Sequence, residues 1–166
     1  MLLGVISDTH DRLPTFRRAI ALFTRLKVDA VLHAGDLVAP FAAKLIAPDQ
    51  LATPVHVIYG NNDGEKAGLK HVLPQIVDGP VRLDLAGHAV VMHHFVDWLT
   101  PADLKGADVV ISGHDHQASI ETRGGVLYLN PGECCGWVND RCTVATLELD
   151  PGKAHAPKAE IIEVHE

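Results

Sequence analysis

Cysteine is scarce and poorly spaced for structural work. Cys134, Cys135 and Cys142 make an odd count with no C-x-x-C pair. That excludes a disulfide framework and a zinc finger, and suits reduced thiols in a cytoplasmic protein. Long apolar runs are also missing. Mean hydropathy is slightly positive at +0.11, yet no run approaches the roughly 18 residues of a membrane span. The start, Met1-Leu2-Leu3-Gly4, lacks the basic region and cleavage site of a signal peptide. Basic charge is in deficit: 14 Lys and Arg face 21 Asp and Glu, a net charge of −7. A protein that neutralises phosphates to bind duplex nucleic acid should be basic, so duplex binding is not expected. An enzyme that meets a phosphate through bound cations remains compatible. There is no Pro/Gly/Ser linker, charge block or repeat of about 20–50 residues. At 166 residues, against about 150 per domain, one domain over residues 1–166 is expected. With 47% hydrophobic and 21% charged residues, the composition is globular rather than disordered.

Histidine is abundant, with 11 copies. Chemistry is therefore sought there. The first half alternates short apolar runs with helical patterns: a strand at 2–7, an amphipathic helix at 13–27, a strand at 30–33, a helix at 41–47 stopped by Pro48, and a strand at 55–59. The helix at 13–27 places Phe16, Ala19, Ile20, Phe23 and Leu26 on one face. This order is that of a parallel sheet. The second half is richer in strands: a hairpin of 81–85 and 89–92, then 109–112, 119–122, 126–129, 143–149 and 161–164. Their short turns suggest antiparallel pairing. Two sheets packed face to face with helices outside accommodate both halves.

Five apolar runs end in metal-competent side chains: Asp8-Thr9-His10, Gly35-Asp36, Gly60-Asn61-Asn62-Asp63, His93-His94 and Gly113-His114-Asp115-His116. Sites in α/β sheets lie beyond the carboxyl ends of strands, so these five ends can converge. In extended chain, residues two apart share a side, which would aim Asp8 with His10 and His114 with His116 into one cavity. Carboxylate, amide and imidazole donors suit Mn, Fe, Ni or Zn better than Ca or Mg. Seven candidates, Asp8, His10, Asp36, Asn61, His93, His114 and His116, divide between two metals that share one carboxylate. Two ions about 3.5–4 Å apart can clamp an in-line phosphoryl displacement.

In this order the five blocks resemble the calcineurin-like metallophosphoesterase superfamily. The size and the Asn130-Pro131-Gly132-Glu133 segment are similar to its small YfcE-type phosphodiesterase branch. The resemblance covers about residues 3–149 and implies two packed mixed β-sheets flanked by helices, a four-layer α/β/β/α sandwich. It implies one metal held by Asp8, His10, Asp36 and His116, and another by Asp36, Asn61, His93 and His114, with Asp36 as the catalytic bridge. Manganese leads, with nickel, iron and zinc as alternatives. The implied reaction is hydrolysis of a small phosphodiester, a nucleotide among the candidates, by a metal-held hydroxide. A phosphomonoesterase with the same centre is the alternative enzyme. A scaffold module of the same fold, which loses some ligands, is the alternative outside enzymes.

Two positions depart from the commoner superfamily blocks. Asn62 stands where a histidine usually assists as an acid, and His94 follows His93 where a small residue is usual. His94 could supply the missing proton, but neighbours in extended chain point to opposite sides, so unaided leaving-group departure is expected. His33, Asp63 and Asn130 are read as structural or supporting groups, Cys134 and Cys135 as small buried hydrophobes, and Trp98 and Trp137 as rim or packing residues. Association into a homo-oligomer is left open.

Overall fold

The computed structural model describes residues 1–165. Ten strands form two mixed sheets of five. The first has the order β10 (Lys158–Glu163), β9 (Thr143–Glu148), β1 (Leu2–Ile6), β2 (Ala30–His33), β3 (Val55–Val57). The second has the order β4 (Val81–Leu85), β5 (His88–Met92), β6 (Val109–Ile111), β8 (Val126–Asn130), β7 (Ser119–Arg123). In the first sheet β1, β2 and β3 run parallel, and β9 and β10 add antiparallel.

Period-two alternation decides which face each side chain serves. Leu3, Val5, Ala30 and Leu32 point at the second sheet, where they meet Val90, Met92, Val109, Ile111 and Leu129. Ile6, Val31 and Val57 point outward and pack under the helices. α1 (Leu13–Leu26) buries Phe16, Ala19 and Phe23 there. Pro14 lies in its first turn, where the missing N–H costs nothing. Lys27 closes it in a left-handed conformation, its N–H donating to Phe23 and Thr24 carbonyls. Leu26, expected on the buried face, is 37% exposed. On the far side, Val91 and Val110 pack with Leu104 and Tyr128. The layers are thus helix, sheet, sheet, helix, as the resemblance implied.

Several local expectations change. The helix expected at 41–47 is α2 (Pro40–Ala43) tightening into a 3₁₀ turn at Lys44–Ile46. Two short helices were not anticipated: α3 (Lys66–Val72) and α4 (Pro101–Leu104). The second sheet is not simply antiparallel, since β5, β6 and β8 run parallel. A parallel pair needs a long crossover, and the segment between β5 and β6, which carries α4, supplies it. All three cysteines are buried thiols.

Candidate metal centre

The loops that leave β1, β2, β3, β5 and β6 gather at one edge of both sheets. The chain after β1 lies along the chain after β2: Asp8, Thr9 and His10 donate N–H bonds to the carbonyls of Gly35 and Asp36 at 3.0–3.1 Å. The two short motifs are not extended here. Asp8 and His10 have φ of 52° and 38°, His114 and His116 of 74° and 63°, and Asp36 of 59°. Each pair shares the cavity because both its members are left-handed and the chain curls. Strand alternation is therefore not the reason. Asp and His tolerate this region better than most residues, but it still costs about 1–2 kcal/mol per residue. Strain of this kind collects at functional sites.

The curled loops bring Asp8, His10, Asp36, Asn61, His94, His114 and His116 together. His10 Nε2 is 3.7 Å from Asp8 Oδ1 and 3.5 Å from Asp36 Oδ2. His116 Nε2 is 3.5 Å from Asp8 Oδ1, and the His10 and His116 rings stack with centroids 5.1 Å apart. His94 Nε2 is 3.4 Å from Asp36 Oδ2. Asn61 Oδ1 is 3.0 Å from both His94 Nε2 and His114 Nδ1. Two glycines permit this closeness. A Cβ at Gly60 would overlap the Asp36 carboxylate, and one at Gly113 would overlap Ser7 and crowd Asp8 Oδ2.

His93, expected among the ligands, lies outside this cluster. Its Nδ1 is 2.8 Å from the Phe95 carbonyl oxygen, and its ring leans on Phe95 and Trp98. His94 takes the inward place instead. The reason is register: adjacent residues at a strand end face opposite ways, and Met92, which points into the inter-sheet core, shares its side with His94. Asn62, which stands where an acid histidine is usual, turns onto the Asp36 carboxylate. Its amide donates to Asp36 Oδ2 at 2.7 Å and its backbone N–H to Asp36 Oδ1 at 2.8 Å.

The donor set fits a cation. Asp8 is fully buried, yet its Oδ1 has no hydrogen-bond partner, and neither has buried His10 Nε2. A buried carboxylate oxygen left unpaired is costly. His94 Nδ1 bonds the Ala34 carbonyl oxygen at 2.8 Å and His116 Nδ1 bonds Glu133 Oε2 at 2.9 Å, so in each ring the other nitrogen turns its lone pair on the cluster. Without a cation, protons take its place. The Asp8 carboxylate 3.7 Å away, with that of Asp36, raises His10 above its ordinary pKa. Burial pushes His94 down, but the Asp36 carboxylate outweighs it and raises it. Burial would push Asp36 up, and His94 and Asn62 instead hold it well below the usual carboxylate range.

Residues 1–152 match the calcineurin-like phosphoesterase superfamily domain. The chain belongs to this superfamily. It is a hydrolase acting on phosphoesters. The phosphodiesterase MJ0936 of Methanocaldococcus jannaschii is 37% identical over 158 residues, covering 90% of this chain and 94% of that protein. A solved structure described as a novel archaeal phosphodiesterase superposes with a TM-score of 0.81 at 32% identity, covering 98% of this chain and all of that one. The YfcE phosphoesterase of E. coli shares the fold, with a TM-score of 0.73 at 22% identity over 90% of each chain.

Around the cluster of this phosphoesterase lies a supporting layer. Asp63 takes the supporting role expected of it: it accepts backbone N–H bonds from Asp36 and Gly60 through Oδ2 and from Val38 through Oδ1, which ties the β2 and β3 loops together. His33 is wholly buried. Gly35 N–H donates to its Nδ1 at 3.2 Å, so its Nε2–H faces Thr9 Oγ1 at 3.3 Å, and Thr9 in turn donates to the Asp36 carbonyl. Burial lowers its pKa to about 4. Asn130 donates to the Gly113 carbonyl and to Asp115 Oδ1, fixing the loop of His114 and His116.

Sequence reasoning gave Glu133 no role of its own. Burial would raise its pKa, but His116 and the N–H groups of Asn139 and Val138 hold it at about 2. It anchors His116 as an anion. The signal lay in the Asn130-Pro131-Gly132-Glu133 segment, which fixed a family resemblance without naming a partner. Trp98 and Trp137 are 68% and 60% exposed. Trp98 stacks on Phe95 at 4.2 Å, and Phe95 sits 4.2 Å from the His114 ring. Trp137 donates to the His10 carbonyl and lies under the Arg12 guanidinium. Trp98 therefore borders the cluster through Phe95 beside His114, and Trp137 borders it at His10. His56, His71, His88, His155 and His165 take no part in the contacts that build it.

Proposed function

We propose that this chain is a dinuclear metal-dependent phosphodiesterase, one domain over residues 1–166, acting on a small diester of nucleotide type in the cytoplasm. One cation would be held by Asp8, His10, Asp36 and His116, the other by Asp36, Asn61, His94 and His114, with Asp36 shared. His94 replaces His93 in the set expected from sequence. Two divalent cations there would supply Lewis-acid polarisation of the phosphate and acidify water for in-line attack. The mixed nitrogen and oxygen donors favour manganese, with nickel, iron and zinc next.

The observation that carries this reading is the unpartnered, buried Asp8 Oδ1 beside the Nε2 atoms of His10 and His116. The chain's own residues then do four things. Asp63 holds the Asp36 loop. Asn62 holds the Asp36 carboxylate. Glu133 aims His116. Exposed Asn61, Asn62 and His114 leave the centre open to a substrate phosphate. Diester preference is supported by the relatives named phosphodiesterases. The net charge of −7 supports a small substrate over duplex DNA.

The test is hydrolysis of a nitrophenyl phosphodiester and the matching monoester, before and after chelation, alongside elemental analysis. Two bound ions, activity lost on chelation and restored by Mn²⁺, and a faster diester are expected. Full activity without metal, or a faster monoester, overturns the reading.

A further inference from the structure

Cys135 has no part in the reaction proposed above, yet it is built into the wall of the centre. Its N–H donates to the Asp8 carbonyl at 3.1 Å, as that of Cys134 does to Ser7. This pairing fixes the thiol beside the Asp8 and His10 turn. Its Sγ, one ring nitrogen of His10 and one of His116 all lie within 4.8 Å of one another. Cys135 is fully buried. Its Sγ donates to Glu133 Oε2 at 3.2 Å, the oxygen that also receives His116 Nδ1. Independently of the thiol, Asp8 is fully buried and its Oδ1 is unpartnered, facing the same two imidazoles. The place thus offers one sulfur beside two imidazoles, with the Asp8 carboxylate on the same two rings.

We infer that Cys135 Sγ is a ligand of the cation held by Asp8, His10 and His116. This rests on the two-metal reading and divides the centre chemically. The half with Cys135 takes soft ions such as zinc, cobalt or cadmium, while the half with Asn61 has no sulfur and favours harder ions. On coordination the S–H bond breaks, the sulfur lone pair goes to the ion, and the proton passes through Glu133 to solvent. No oxidant or reductant is needed.

Cadmium alone is the probe, titrated into the metal-free full chain. A thiolate-to-cadmium charge-transfer band in the ultraviolet should saturate at one equivalent of a total of two. It should persist in Cys134→Ala and vanish in Cys135→Ser. Cys135→Ser should also weaken zinc binding at least tenfold, about what a lost metal-site partner costs, and weaken manganese binding less. Zinc X-ray absorption on the wild-type protein needs no variant and should show sulfur at about 2.3 Å. Two cations bound with no band and no sulfur distance would overturn the inference and leave the two-metal reading standing. Failure to bind any divalent cation would overturn both.

Discussion

His94 Nε2 stands 3.4 Å from Asp36 Oδ2, while the ring of the preceding histidine turns to the Phe95 carbonyl. The two neighbours should therefore differ sharply on substitution. His94→Ala is expected to lower bound metal from two ions to one and to cut kcat/KM by a factor of about 10² or more, beyond the 10–100-fold typical of an outer partner. His93→Ala should keep both ions and lose less than about tenfold. Elemental analysis with diester kinetics checks this, and the reverse ranking would return the ligand role to His93.

Asn62 donates to the Asp36 carboxylate and has no proton to give a leaving group at neutral pH. General acid help is worth about 10²–10⁴-fold. Log kcat/KM should therefore fall steeply as leaving-group pKa rises across a series of aryl and alkyl diesters. Asn62→His should flatten the slope and help poor leaving groups most. A shallow slope in the wild type would show that another group supplies the proton.

Glu133→Gln keeps the shape of the side chain but removes the charge that aims His116. Metal affinity should drop about 10–100-fold, read by titration calorimetry, with the fold intact by circular dichroism. Unchanged affinity would leave Glu133 with its contacts to the Cys135 thiol and to the Val138 and Asn139 N–H groups.

His33 gives acid lability a defined window. Its pKa is about 4 folded and 6.5 unfolded. Between these values the unfolded chain binds more protons, so stability rises with pH there and is lost as pH falls from about 6.5 to 4. The full loss is about 3 kcal/mol. His10 and His94 are raised instead, so their contribution is complete below about pH 6.5 and is lost above it. Denaturant melts of metal-free wild type and His33→Gln, from pH 4 to 6.5, should show a shallower slope in the variant. Equal slopes would remove His33 as the cause.

Much of this was legible because apolar runs stop where polar blocks begin. That pattern marked β1, β2, β3, β5 and β6 as strands whose ends carry Asp36, Asn61 and the histidines. The left-handed backbone at Asp8 and His114 was hidden, since neither residue type demands positive φ as a turn glycine would. Which of His93 and His94 faces inward depends on the strand register, which is set by the second sheet's packing and not by the dipeptide. α3 escaped notice because seven residues containing Gly68 carry little helical periodicity. The thiol of Cys135 reads as an ordinary small core residue until its pairing to the Asp8 carbonyl is seen.

The cluster draws on both sheets. Asp8, Asp36 and Asn61 follow strands of the first, and His94 and His114 follow strands of the second. His114 N–H reaches Asp8 Oδ2 across 106 positions of chain. A guest that needs donors from both halves can be captured only after the halves have docked, late on the folding route. It acts on the native side of the barrier, so it should slow the rate at which the molecule opens and leave the rate at which it closes almost untouched.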